Sequence, residues 1–375
     1  MGLGLRLLPF AVGYALSYLL RSANAALVEP LAQEFQMSPG ALGALTSVFY
    51  LAFALAQVPL GSLLDRLGPG RTLPPLFALA GLGCLAFALA PGWALLALGR
   101  ALMGAGMALA LVGALRTYQI LLPERLGLLS GLTVALGGLG GVAATGPLVA
   151  LEEALGWRGV FLLLALLSWG LALVMAPLAP KAEARRQDPA PQRDRRLAPL
   201  AFLALAYLGG FFALQSFWAG AHAYARGLSG QEVGQALALL NLASIGGAFA
   251  SSLLAARWGT GRALLFGMGL YATGLGLWIG EASPTPTYLF LGLGGGFNAL
   301  VLAHTARLSP RHPGQAMGVV NLAGVLGIFA LQGGLGPVVG LYGYPAGGFF
   351  LLLLLAVGVA WAWTLLLKPF EPTTR

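Results

Sequence analysis

Charge is what this chain has least of. Asp, Glu, Lys and Arg together make up 9% of its 375 residues, whereas 58% are hydrophobic. A soluble protein of that length needs a polar surface that this composition does not supply, so most of the apolar surface must face lipid. Cysteine is nearly missing: Cys84 stands alone, which excludes an intrachain disulfide and a cysteine-based metal site. The alternating polar and apolar pattern of a membrane β-barrel is also missing. So are Walker loops and zinc-ligand spacings, and "GLGGGF" at 292–297 has no strand before it, so ATP hydrolysis, dinucleotide and metal chemistry have no support. No cofactor and no metal are expected. The one long polar stretch, 181–197, carries no aromatic residues to stack bases, which argues against a nucleic-acid partner.

What is present is apolar length. A bilayer core about 30 Å thick needs about 20 apolar residues per helix, and such runs recur along the whole chain. Between charged or Pro/Gly breaks they read as twelve spans: 7–28, 40–60, 72–90, 93–115, 128–150, 158–178, 199–221, 231–254, 262–280, 286–305, 315–338 and 346–367. Lys and Arg placement sets the orientation. With the N-terminus inside, every Lys and Arg falls on the cytoplasmic side except Arg158 and Arg226, outside, and Arg21 and Arg100, within spans. This predicts a multi-pass protein of the inner membrane with both termini cytoplasmic.

The polar stretch divides the chain into parts that echo one another. "GSLLDRLGPGR" at 61–71 is matched by "SSLLAARWGTGR" at 251–262, with one residue inserted and the acid lost. "PERLGLLSG" from Pro123 is matched by "PRHPGQAMG" from Pro310, Gly146-Pro147 by Gly336-Pro337, and "GWRGVFLLL" from Gly156 by "GYPAGGFFLLL" from Gly343. The expected organisation is a six-helix bundle over 1–179, a cytoplasmic linker over 180–198 and a second six-helix bundle over 199–375. The fold class is then an all-α membrane protein with twelve transmembrane helices in two pseudo-symmetric bundles, and its site would lie between the halves.

Residues Gly61, Asp65, Arg66, Gly68 and Arg71 place a carboxylate, two arginines and two glycines on one turn between greasy runs. The stretch resembles the cytoplasmic loop motif between the second and third helices of the major facilitator superfamily. "R100-A-L-M-G104-A-G106" resembles that family's fourth-helix motif, and "PERLG" and "GWRxxF" at 156–161 are similar to it as well. The resemblance covers the whole chain in order. It implies a transporter rather than an enzyme, usually a monomer, with Asp65 acting in a cytoplasmic gate. A carboxylate there can face the N-terminus of a helix from the other half, near Gly314, a contact worth about 0.3–2 kcal/mol. Gly61 and Gly68 are expected to allow close backbone approach, and Arg66 and Arg71 to hold the loop in the cytoplasm.

Charged side chains inside a membrane are costly and usually functional. Arg21 and Arg100 are the two that qualify, at similar depth on the first and fourth helices. Arg offers a planar donor fork to a carboxylate or phosphate, so Arg21 is a candidate substrate ligand and Arg100 a structural or coupling residue. "R21-S-A-N-A-A-L-V-E-P-L" resembles the first helix of organic-anion symporters of the superfamily, with Leu20 where they carry an acid. Tyr14, Tyr18 and Asn24 share helix one with Arg21. Gln57, Gln215, Trp218, Asn241, Asn298 and Asn321 are the other candidate cavity residues. His222 and His304, at helix ends, are read as interfacial histidines. No carboxylate falls in mid-span, which leaves the coupling proton or ion open. The expected function is a secondary transporter moving a small polar or anionic organic solute by alternating access. A multidrug or metabolite exporter of the same fold is the alternative. The "GGLGGVAATGP" segment at 137–147 is similar to a drug-antiporter motif but departs from it at Val142. It is expected to pack closely and to break its helix at Pro147.

Overall fold

The computed structural model describes residues 3–180, 197–309 and 313–367, and among them every regular element is helical. Most of the expected linker, 181–196, lies outside the described residues, with its cluster of Lys and Arg. Nine helices among the described residues are long and apolar enough to cross a membrane. Two of them run on unusually far, Gly146–Leu178 and Ala316–Leu366, and each contains one glycine with non-helical dihedrals, Gly156 and Gly343.

The described residues fall into two compact units. One holds those of Met1–Pro189 together with Ser216–Gln235; the other holds those of Ala190–Gln215 and Ala236–Arg375. The first unit is built from α1 (Leu3–Ala26), α2 (Val28–Phe35), α3 (Pro39–Leu67), α4 (Pro69–Ala88), α5 (Trp93–Met107), α6 (Ala110–Leu121), α7 (Leu126–Ala143) and α8 (Gly146–Leu178). Local chemistry sets their ends. Ser38 caps α3 by accepting the Ala41 N–H at 3.2 Å, and prolines open α3 and α4, where a missing N–H costs nothing. The run expected as one span over 93–115 is broken at Ala108-Leu109 into α5 and α6. The 128–150 run is broken at Ala144-Thr145, just ahead of Pro147.

Glycine brings these helices together. A Cβ on Gly104 would meet the backbone of Phe49 in α3, one on Gly106 would lie 2.6 Å from Leu76 O in α4, and one on Gly140 would meet the Ala15 backbone in α1. Without a hydrophobic force between helices in lipid, such close approaches supply the dispersion contact that holds them. Gly137 and Gly140 of the 137–147 segment therefore pack on α1, while Gly146 faces Gly234. Residues 216–235 join this unit in the same way. Tyr224 Oη donates to Ala26 O at 3.1 Å, and a Cβ on Gly234 would lie 2.8 Å from Gly146 Cα.

The second unit begins in an irregular helix over 198–225 that passes to the first unit after Gln215. Between α9 (Ala198–Leu203), α10 (Gly209–Ala213) and α11 (Ala219–Ala225) lie two π-helical turns, Ala204–Leu208 and Leu214–Trp218. The unit continues through α12 (Gly230–Trp258), α13 (Thr260–Ile279), α14 (Pro284–Gly295), a 3₁₀ turn Gly296–Asn298, α15 (Ala299–Leu308) and α16 (Pro313–Leu366). His304 is buried here. Its Nε2 meets the Leu365 carbonyl at 3.0 Å, an acceptor, so Nε2 carries the proton. Nδ1 then accepts from Thr260 Oγ1 at 2.9 Å, and Arg307 Nη1 donates to the same hydroxyl at 3.3 Å. His304 thus ties α13, α15 and the end of α16.

The left-handed backbone positions expose the repeat. Gln36, Gly68 and Gly156 have φ of 52°, 74° and 67°, and their counterparts Gly227, Gly259 and Gly343 have 79°, 82° and 81°. The spacings are 191, 191 and 187 residues, within the range of the sequence matches. Six of the seven left-handed positions among the described residues thus pair, five of them glycines that avoid the cost of a Cβ, and the seventh, Glu281 at φ 51°, has no counterpart.

One ion pair braces the first unit. Glu34 at the end of α2 pairs with Arg158, and Trp157 Nε1 donates to Glu34 Oε2 at 2.7 Å. Arg158 Nη2 also donates to Ala90 O at 3.0 Å, and its guanidinium lies 4.2 Å from the Trp157 ring centroid. The left-handed Gly156 turns the chain so that both Trp157 and Arg158 reach α2. The Arg158 hydrogen bond, aided by Trp157, holds the Glu34 carboxyl below its usual range. Both charged side chains are about two-fifths exposed, 42% and 39%, so solvent screening limits the pair to about 0.5 kcal/mol. That stabilisation is present above the ordinary carboxylate value and is lost as pH falls through the lowered native one. Glu34→Gln should lower thermal stability at pH 7 by about 0.5 kcal/mol. The gap to wild type should close on acidification below about pH 4, read by thermal unfolding in detergent.

Candidate functional site

Arg21 and Arg100, the two arginines that fall within expected spans, meet one aromatic stack. Phe49 and Phe53, one turn apart on α3, lie with ring centroids 6.1 Å apart and planes at 21°. The Arg21 guanidinium sits 4.3 Å from the Tyr18 ring centroid and 5.6 Å from that of Phe53, and Arg100 lies 4.9 Å from that of Phe49. An aromatic face attracts a cation, and more strongly where water is excluded. Arg21 is half-buried and its Nη2 donates to Ser17 Oγ at 3.3 Å. Arg100 is fully buried and its Nη1 donates to the Leu20 carbonyl at 2.9 Å. The bond brings Arg100 to the residue directly before Arg21.

Neither arginine has an acid. Among the described residues the one ion pair is Arg158 with Glu34. Arg21 Nε, Arg100 Nε and Arg100 Nη2 are buried with no hydrogen-bond partner. Arg100 makes one hydrogen bond and one ring contact. An unpaired buried cation is costly, and both of these are left with donors to spare.

The remaining expected residues divide. Tyr14 and Tyr18 meet edge to face at 5.2 Å, with Tyr14 buried and Tyr18 half-buried beside Arg21. Asn24 turns away: its Nδ2 donates to Thr46 Oγ1 at 2.9 Å, a bond between α1 and α3. Gln57 is half-buried one turn beyond Phe53. In the second unit Gln215 Nε2 donates to Asn241 Oδ1 at 2.8 Å, and Asn241 Nδ2 to Leu237 O at 2.9 Å. Gln215 lies in the π-helical turn 214–218, a geometry often found at functional positions. Asn298, in the 3₁₀ turn, and Asn321, on α16, are half-buried. Trp218 is buried with its ring edge-to-face on Phe217 at 5.0 Å, and His222 is buried on α11.

The 61–71 stretch is helical rather than a loop: Gly61, Asp65 and Arg66 lie in the last turns of α3 and Arg71 in the first turn of α4, with only Gly68 between them. Asp65, Arg66 and Arg71 are exposed, and Gly68 reverses the chain at φ 74°. Gly61 needs a correction: nothing lies within 4 Å of where its Cβ would be. The close approach is at Gly70 instead, whose N–H donates to Pro180 O at 3.1 Å and whose Cβ would stand 2.6 Å from Ala179 O. This glycine, and the ring pair Phe49 and Phe53, carry no polar signal in the sequence. The spacing of Phe49 and Phe53, one helical turn apart on the helix facing Arg21, is the one cue that could have found the rings.

A family model described as Major Facilitator Superfamily matches residues 10–330. A probable sulfoacetate transporter of Cupriavidus necator is 28% identical over 166 residues, 44% of this chain and 38% of that protein. Monocarboxylate transporter 11 of Homo sapiens is 30% identical over 362 residues, 91% of this chain and 75% of that protein. A crystal structure of a bacterial homologue of the human lysosomal transporter Spinster, inward-facing and occupied, gives a TM-score of 0.70 at 17% identity over 96% of each chain. Its inward-facing, unoccupied form gives 0.71 at 16% identity, over 97% of this chain and 96% of that one.

Gly104 positions the site by bringing α5 and Arg100 against the Phe49 backbone. Gly104→Ala should therefore destabilise the protein by about 1–3 kcal/mol through overpacking. Gly131→Ala, where a Cβ meets nothing within 4 Å, should leave the unfolding temperature of the purified protein close to wild type.

Proposed function

This chain belongs to the major facilitator superfamily of transporters, and from that premise we propose that it is a secondary transporter carrying a small organic anion across the inner membrane by alternating access. The observation that carries this reading is Arg21: a half-buried guanidinium held by Tyr18, Phe53 and Ser17, with an unpartnered buried Nε and no carboxylate. A carboxylate accepts two parallel bonds from such a fork. The relatives lend support, since one bears the name of a sulfoacetate transporter and the other that of a monocarboxylate transporter. Tyr14, Tyr18 and Gln57 complete the proposed cradle on α1 and α3. Gln215, Trp218, Asn241, Asn298 and Asn321 are the polar and aromatic residues proposed for the ligand from the second half of the sequence. Asn24 is proposed to bear on the site by fixing α1 to α3.

Twelve spans are proposed, in two six-helix bundles with both termini cytoplasmic. They count the segments on either side of Gly156 and of Gly343 separately, leave out the short α2, and join α5 with α6, α7 with the start of α8, α9 with α10 and α11, and α14 with α15. Motion is proposed at two places. Residues 216–235 meet α1 and α8 through Gly220 on the Ala25 backbone, Gly234 on Gly146 and the Tyr224–Ala26 hydrogen bond, and this seam is proposed to part during the cycle. On the cytoplasmic side, Asp65 is proposed to engage the helix that begins at Pro313, in a charge–dipole contact weak enough to break each cycle. Gly61, Gly68, Arg66 and Arg71 shape and anchor that stretch.

A thermal-shift screen of purified protein against organic acids, amino acids, sugars and inorganic anions tests the reading. At least one organic anion should stabilise the wild type and lose its effect on Arg21→Gln. Stabilisation by neutral solutes alone would refute the anion site. With a transported anion in hand, Asp65→Asn should slow uptake into proteoliposomes while leaving binding intact; unchanged uptake would remove Asp65 from the gate.

A further inference from the structure

Arg21 and Arg100 share more than depth. The Leu20–Arg21 peptide joins them, because Arg100 donates to the Leu20 carbonyl. The Phe49–Phe53 stack joins them again, each ring bearing one guanidinium. Three of their N–H-bearing atoms, Arg21 Nε, Arg100 Nε and Arg100 Nη2, are buried without a partner. No acid of the sequence falls in mid-span, and neither arginine is in an ion pair among the described residues. The first unit thus holds two positive charges in a low-dielectric setting with nothing of its own to neutralise them. Like charges so placed repel, and each is costly unpaired. A monoanion would neutralise one and leave the other.

Resting on the reading of Arg21 as an anion ligand, we propose that the site is built for a small dianion: one carboxylate on Arg21, and a second acid group whose charge answers Arg100. Arg100 is enclosed behind Phe49, so it acts as a positioning charge and not as a direct ligand. The chemistry that fits is a short chain with an acid at each end, both ionised at neutral pH. No side-chain carboxylate is needed, because the ligand supplies both negative charges. A proton added to the ligand would cancel the advantage.

Matched probes test this: succinate against its monomethyl ester, and malonate against propionate, titrated into purified protein by calorimetry at pH 7. Each dianion should bind about tenfold or more tightly than its monoanionic partner. In Arg100→Gln that ratio should fall to near one while monoanion binding persists. Arg100→Lys, which keeps the charge, should restore the preference and controls for misfolding. Equal affinities for the paired probes in the wild type would overturn the proposal and leave the anion site standing. A preference that survives Arg100→Gln would overturn the role of Arg100. If no probe binds, or if Arg21→Gln binds them all as the wild type does, the anion site itself falls.

Discussion

In hydrocarbon, two helices gain nothing by hiding apolar side chains from one another, since lipid is as apolar as they are. They hold together where backbones can touch, and in this chain glycine makes that possible. Gly104 on Phe49, Gly106 on Leu76, Gly140 on Ala15, Gly247 on Leu293 and Gly261 on Leu366 are contacts of this kind, each with no room for a Cβ. The first of them decides where Arg100 sits, because it sets α5 against the residue whose ring the guanidinium meets. Packing and site chemistry therefore rest on the same small residues.

The site's electrostatics follow from what that packing encloses. A guanidinium in water keeps its hydrogen bonds; one enclosed among Phe49, Phe53 and Tyr18 exchanges them for ring faces and a backbone carbonyl. The exchange is incomplete at both arginines. Perfect internal pairing would leave an anionic ligand nothing to gain, so the deficit is what the proposed anion site requires. The brace on α2 shows the opposite arrangement. There Arg158 has Glu34, Ala90 and the Trp157 ring, and it is satisfied by the protein alone.

The helical membrane character was legible in the sequence because apolar runs of bilayer length admit few other readings. The breaks at Ala108-Leu109 and the π-helical turns around Tyr207 and Gln215 were not. No proline marks them in the sequence. Polar residues in apolar helices singled out Arg21, Tyr18, Gln215 and Asn241, and the structure sets Tyr18 against Arg21 and Gln215 against Asn241. They misjudged Gly61 and missed Gly70, since glycine reads the same whether it faces open space or a carbonyl. Phe49 and Phe53 were hidden for a related reason: an aromatic residue in a greasy run signals burial, and its use as a platform for a cation appears only when the partner helix is in place.

The paired left-handed positions have a consequence for how such a chain can diversify. What the two halves of the sequence share is where the backbone reverses; the chemistry at matched positions differs, with an acid at Asp65 and none in the matching stretch of the second half. A duplicated scaffold of bends frees side chains in one copy to drift while the other preserves the older role. New cargo preferences can then arise by exchanging a few residues on one half, without redrawing the path of the chain through the bilayer.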